Sequence, residues 1–162
     1  MSKRRHVHID KKQIRALKRN IDARQIKLIS ALTNAADDVL LNAEANAKEL
    51  APRDSGQLEQ SITASRAVYK KGIISGTVGS NLVYALRRHE EEPREGVYDK
   101  YEDGVKYTGY YVNGRGEMTR TKPKVNGFTP GRKYLENSGT INQKHWKQEM
   151  NKAITDTYKG LT

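Results

Sequence analysis

Asp54, Ser55 and Gly56 stand together within Ala51-Pro52-Arg53-Asp54-Ser55-Gly56-Gln57-Leu58, and a serine beside an aspartate is a pairing used in nucleophilic catalysis. A working serine also needs a base held by a third group, and the neighbouring sequence supplies none. The local residues read better as a corner. Asp54 or Ser55 bonds nearby amides, Gly56 takes a backbone angle that other residues avoid, and Leu58 anchors the turn. His6, His8 and His89, the last flanked by glutamates, are residue types that ligate divalent ions. Two of the three fall in a polar, basic leading segment, so an exposed arm and a charged surface cluster are expected, with no metal and no cofactor. Glu90, Glu91 and Glu92 beside Arg87 and Arg88 have the makings of acid–base or nuclease chemistry. No second acidic cluster with metal-binding spacing accompanies them, and they read as a charged face or as ion pairs between subunits. No enzyme activity is expected.

Charge is the next signal. Lys and Arg outnumber Asp and Glu by 30 to 19, giving a formal charge of +11, which favours anionic partners. The excess concentrates at the start, where Lys3, Arg4, Arg5, Lys11, Lys12, Arg15, Lys18, Arg19, Arg24 and Lys27 face only Asp10 and Asp22. Lys3, Arg4 and Arg5 are the candidate contacts to an anionic partner, and Met1 to Ile9 form a basic arm expected to be mobile. A basic nucleic-acid-binding protein is the alternative function, because such an arm neutralises phosphates with strong salt dependence. The sequence offers it no reader: there is no zinc-finger spacing and no RNP-like aromatic strand. Cysteine is absent, which removes disulfides, thiol nucleophiles and thiolate metal sites. No apolar run approaches the roughly 20 residues of a membrane span, and the basic start lacks a secretory apolar region. A cytosolic assembly site fits these features. At 35% hydrophobic residues the core is thin against the usual share of roughly 45–50%, so neighbours are expected to complete it.

The elements that must position these residues follow from periodicity. Asp10 and Gln13 have capping-box spacing and predict a short helix to about Asn20. Asp22 offers a second N-cap, after which Ile26, Ile29, Leu32, Ala36, Val39, Leu40, Ala43, Ala47 and Leu50 recur as one apolar stripe on a long helix that Pro52 ends. Ile62 to Val78 reads as a hairpin around Lys70-Lys71-Gly72, and Val83, Tyr84 and Leu86 resume an apolar face. Arg94 to Thr129 is Gly- and Tyr-rich, a long excursion with a hairpin turn at Asn113-Gly114. Tyr107, Tyr110 and Tyr111, with Tyr98 and Tyr101, exceed what it can bury and are candidates for contact with a neighbouring subunit. From Thr140, Ile141, Trp146, Met150, Ala153, Ile154 and Tyr158 return to helical spacing, and this stripe reads as core.

Three short segments recur in a fixed order: the Pro52–Leu58 corner, Val83-Tyr84-Ala85 leading to His89-Glu90-Glu91, and Gly131-Arg132-Lys133-Tyr134-Leu135-Glu136. With a long helix before and another after, they resemble the neck and tail-completion proteins of long-tailed, siphovirus-type bacteriophages. The resemblance implies an α+β fold in which a long N-terminal helix packs on an antiparallel β-sheet, with a C-terminal helix and a long Gly/Tyr-rich loop. The expected organisation is a basic arm over 1–9 and a single connector domain over 10–162, with loop 93–130 inserted. The resemblance also implies a non-enzymatic virion protein of the head-to-tail connector, built as a hexameric or dodecameric ring between capsid and tail. Its expected partners are other copies of itself, head-closure or connector proteins, tail-tube or tail-terminator proteins, and passing genomic DNA, with no membrane. Pro52, Asp54, Ser55, Gly56, Leu58, Tyr84, Lys133, Tyr134 and Leu135 carry the resemblance. Arg87, Arg88, His89, Glu90, Tyr107, Tyr110 and Tyr111 are the expected inter-subunit or partner contacts. Glu92-Pro93 leads into the Gly/Tyr-rich insertion where the family often has a short Gly-Thr turn, so neck and tail-completion positions both stay open.

Overall fold

The computed structural model describes residues 11–159. Helix α1, Lys11–Leu50, dominates it; at about 1.5 Å per residue its length is roughly 60 Å. The predicted break at Asp22 is absent. Ile14, Leu17, Ile21, Leu28 and Leu32 stay in phase across Asp22, and no Gly or Pro intervenes, so nothing favours leaving helical geometry there. The capping box at Asp10 lies outside the described residues.

The far end of α1 stops where Pro52 disfavours helical geometry in its predecessor. The last helical carbonyls would be orphaned there. Lys122 Nζ donates to Lys48 O at 3.0 Å and Ala51 O at 2.7 Å, and Gly131 N–H donates to Leu50 O at 2.7 Å. A buried ammonium at a helix C-terminus also opposes the negative end of the helix dipole.

Helix α5, Tyr134–Tyr158, lies along the second half of α1. Small residues let the two approach closely: Ser138 Oγ donates to Ala43 O at 2.6 Å. Between them in sequence come α2, Gln57–Ser61; strands β1, Ile62–Ala64, β2, Val68–Lys70, β3, Ile73–Ser75, and β4, Val78–Ser80; α3, Ala85–Glu90; β5, Val97–Glu102, β6, Val105–Val112, and β7, Arg115–Gly116; and α4, Glu117–Arg120. The fold is α+β, with the long N-terminal helix against the C-terminal helix and small antiparallel sheets. Among the described residues the strands form β1–β4, β2–β3 and β5–β6–β7 rather than one sheet.

Two-residue turns set the hairpins. Lys71-Gly72, Asp103-Gly104, Asn113-Gly114 and Asn126-Gly127 all have positive φ at both positions, the twist that matches antiparallel strands. The first and third fall where the sequence predicts them. The Gly- and Tyr-rich stretch thus holds a regular hairpin, and its later part joins the body: Thr119 and Val125 are buried, and Lys122 ends α1.

The main core is Ala47, Leu50, Ala51, Leu58, Ile62, Ala85, Val125 and Tyr134. A second cluster centres on Ala36, Leu40 and Ala67, with Trp146 and Met150 packed against it. Val83 and Leu86, expected on an apolar face, are instead 99% and 72% exposed. The short α3 directs Ala85 and His89, four residues apart, inward and leaves Leu86 outside.

Candidate functional site: the corner cleft

The three recurring segments meet around α3. Leu58, Ala85 and Tyr134 each place one side chain in the main core. Tyr134 is fully buried, and its hydroxyl donates to Ala85 O at 3.2 Å. The edge of His89 meets its ring at 5.1 Å between centroids. Lys133 takes a left-handed conformation at the start of α5 and donates its N–H to His89 O at 3.1 Å. Leu135 packs half-buried against the same core.

His89 is buried and does not line the surface. Its Nε2 accepts the Glu136 N–H at 3.4 Å, which makes Nδ1 the donor to Glu90 Oε1 at 2.8 Å. The acidic run is likewise engaged within the chain. Glu90 pairs with Lys133 at 2.5 Å, Glu91 with Arg87 at 3.0 Å, and Glu92 with Arg132. Bonds from Lys133 and His89 hold the Glu90 carboxyl below the usual glutamate range, and a bond from Arg87 does the same for Glu91.

The other side of α3 forms one wall of a cleft of about 470 Å³, lined by the corner, Tyr84, Arg87, Arg88, Tyr110, Tyr111 and Gly116. Asp54 crosses it. Its Oδ1 accepts from Lys100 Nζ at 2.6 Å and from the Tyr110 hydroxyl at 3.0 Å, so this carboxylate ties the corner to the β5–β6 hairpin instead of capping a local amide. The Lys100 bond holds its pKa below the usual aspartate value, while burial and Asp54 push that of Tyr110 up. Ser55 Oγ faces only the Gln57 N–H, at 3.5 Å. Gly56 has φ 86°, as a corner glycine should. A Cβ on Gly116 would come within 2.8 Å of the Tyr110 ring, so the glycine permits the ring to fill the cleft floor. Tyr110 stacks edge-on with Tyr111 at 4.9 Å and with Tyr107 at 6.2 Å, and Tyr107 remains exposed.

Sequence reasoning missed the residues that brace the corner from afar. The Thr119 hydroxyl accepts the Arg53 N–H at 2.9 Å and donates to Arg53 O at 3.1 Å. Arg53 forks onto Glu59 with three contacts of 2.7–3.0 Å, and Lys122 reaches the same carboxylate at 2.6 Å. Burial works to raise the Glu59 pKa, but the two cations more than reverse it. For Lys122 burial prevails and its pKa is lowered. Three acceptors within 3.0 Å nonetheless favour its ammonium. No local pattern announces Thr119 and Lys122, because each lies more than 60 residues from the groups it serves.

The cleft combines Arg88, tyrosine rings and a rigid backbone corner, with no base beside Ser55. Among the described residues, no group of three or more His, Cys, Asp or Glu is placed to hold a metal, and no helix is long and apolar enough to cross a membrane. Lys3, Arg4 and Arg5 lie outside the described residues.

Residues 11–86 match the family model described as "Bacteriophage HK97-gp10, putative tail-component". Over those residues, just under half of the chain, the protein is similar to that phage tail-component family. No curated protein and no solved structure matches the chain.

Proposed function

We propose that this protein is a ring-forming subunit of the phage head-to-tail connector, in the neck or at the tail-completion position, that joins the DNA-filled capsid to the tail. The observation carrying this reading is the surface around α3. Val83 and Leu86 stand almost bare beside the corner cleft, so the short helix and its approach offer an apolar knob on one side and a tyrosine-lined socket on the other. A knob and a socket on different faces suit a head-to-tail contact between copies, the kind that closes into rings. The family match supports the setting.

Head-closure or connector proteins and tail-tube or terminator proteins are the neighbours this position requires. The test is a phage carrying a stop codon early in this gene. Connector function gives filled heads and finished tails that accumulate unjoined. Joined particles, or the loss of tails altogether, would overturn it. A second reading, a basic nucleic-acid-binding protein, draws on the seven Lys and Arg among residues 11–27 against Asp22 alone. It requires that the purified protein change its solution mass only when DNA is added, and lose that change in high salt.

A further inference from the structure

Residues 11–27 of α1 are exposed throughout. Ile14, Leu17 and Ile21 are 51%, 61% and 56% exposed, and their spacing of three and four residues puts them on one helix face. It is the face that continues through Leu28, Leu32, Ala36 and Val39 into the packing against α5. Helix α5 runs antiparallel to α1, and its last turns lie opposite Lys27 and Ala31. The stripe therefore runs on for about 24 Å past the element that covers it.

Charge decides what covers the rest. Seven cations and one carboxylate flank the stripe, so two copies pairing through this segment would set like charge against like charge. Even without residues 1–27 the chain holds more Lys and Arg than Asp and Glu, and residues 1–10 add three cations against Asp10. DNA would answer the charge but has no slot for a row of branched aliphatic side chains. A membrane-lying helix wants a broad apolar face with interfacial aromatics, and this stripe is narrow and holds no aromatic residue.

We propose that residues 11–27 are a helix-in-groove anchor that seats Ile14, Leu17 and Ile21 in an apolar groove rimmed by carboxylates on a different virion protein. The proposal rests on the tail-component family and not on a position in the neck. Photo-crosslinking in assembled, purified particles tests it. With p-benzoylphenylalanine in place of Leu17, crosslinks should map to an Asp- or Glu-bearing segment of another virion protein. The same probe in place of Arg19, on the opposite face, should crosslink about tenfold less. Crosslinks from position 17 to DNA, to another copy of this chain or to lipid, or no crosslink at all, would overturn the proposal. Two variants sharpen the outcome without touching the core. I14S/L17S/I21S removes the stripe and keeps the charge; R15Q/K18Q/R19Q/R24Q removes charge and keeps the stripe. Both should lower incorporation into particles by about tenfold or more. If only the charge set matters, the partner is a polyanion and the groove is refuted.

Discussion

The two ends of α1 carry the same apolar stripe and meet opposite fates. From Leu28 to Leu50 the stripe is roofed by α5 and the small strands, and its terminal carbonyls are filled by Lys122 and Gly131. From Lys11 to Lys27 it lies bare between cations. Periodicity makes both ends helical, because spacing of three and four residues is all that an amphipathic helix requires. Cover is a separate property, set by where α5 stops. What distinguishes the ends in the sequence is the flank: Ala-rich where a second helix packs closely, Lys- and Arg-rich where none does.

That contrast can be broken most severely at the covered end. Tyr134→Ala should cost about 3–5 kcal/mol of unfolding free energy, since a fully buried ring would leave a cavity against Leu50 and Ala85; urea unfolding measures it. Lys122→Met should cost about 3 kcal/mol, because it orphans the Lys48 and Ala51 carbonyls at the end of α1 and leaves the half-buried Glu59 with Arg53 alone. Replacing Glu59 by Gln in the same chain should recover part of that loss. If Lys122→Met unfolds like the parent, the account of how α1 ends is wrong.

A smaller effect lies about two turns before the end of the helix. Glu44 takes the Ala64 N–H at 2.6 Å and the Lys48 ammonium at 2.5 Å, fastening β1 to α1, and these bonds, Lys48 first, hold its pKa below the ordinary glutamate value. A depressed carboxylate contributes stability that is present above the unfolded-state pKa and lost as pH falls through the folded one. Glu44→Gln should therefore cost about 1 kcal/mol near neutrality and flatten the loss of stability on acidification below the glutamate range. A parallel pair of acid-unfolding curves would contradict it. The smallest effect belongs to the bare end. I14S/L17S/I21S should shift unfolding by no more than about 0.5 kcal/mol, and a larger loss would mean that the stripe is already covered within the chain.

Much of this architecture was legible. The stripe, the stop at Pro52, the turns at Lys71-Gly72 and Asn113-Gly114, and the closing helix all rest on local rules. Asp103-Gly104 and Asn126-Gly127 obey the same turn rule and could have been read with them. At Asp22 the N-cap chemistry loses to the unbroken phase of Ile14, Ile21 and Leu28 across it. Val83 and Leu86 belong to a short apolar run that has the pattern of a buried face, but the chain at α3 turns both outward. Of the candidate site, the corner and its tyrosines were visible as residues, but their geometry was not. Asp54 reaches Lys100 and Tyr110 across some fifty residues, and Thr119 and Lys122 serve α1 and the corner from farther still. Only the folded chain brings such partners together.

The most direct measurement is a cryo-electron microscopy reconstruction of the joined particle, centred on the head–tail junction and resolved well enough to trace helices. The account predicts a ring of these subunits there, with the α3 knob of one copy in the corner cleft of the next and the Lys11–Lys27 end of α1 embedded in a different protein. A junction that lacks the chain, or a ring whose α1 ends project into solvent, would contradict it.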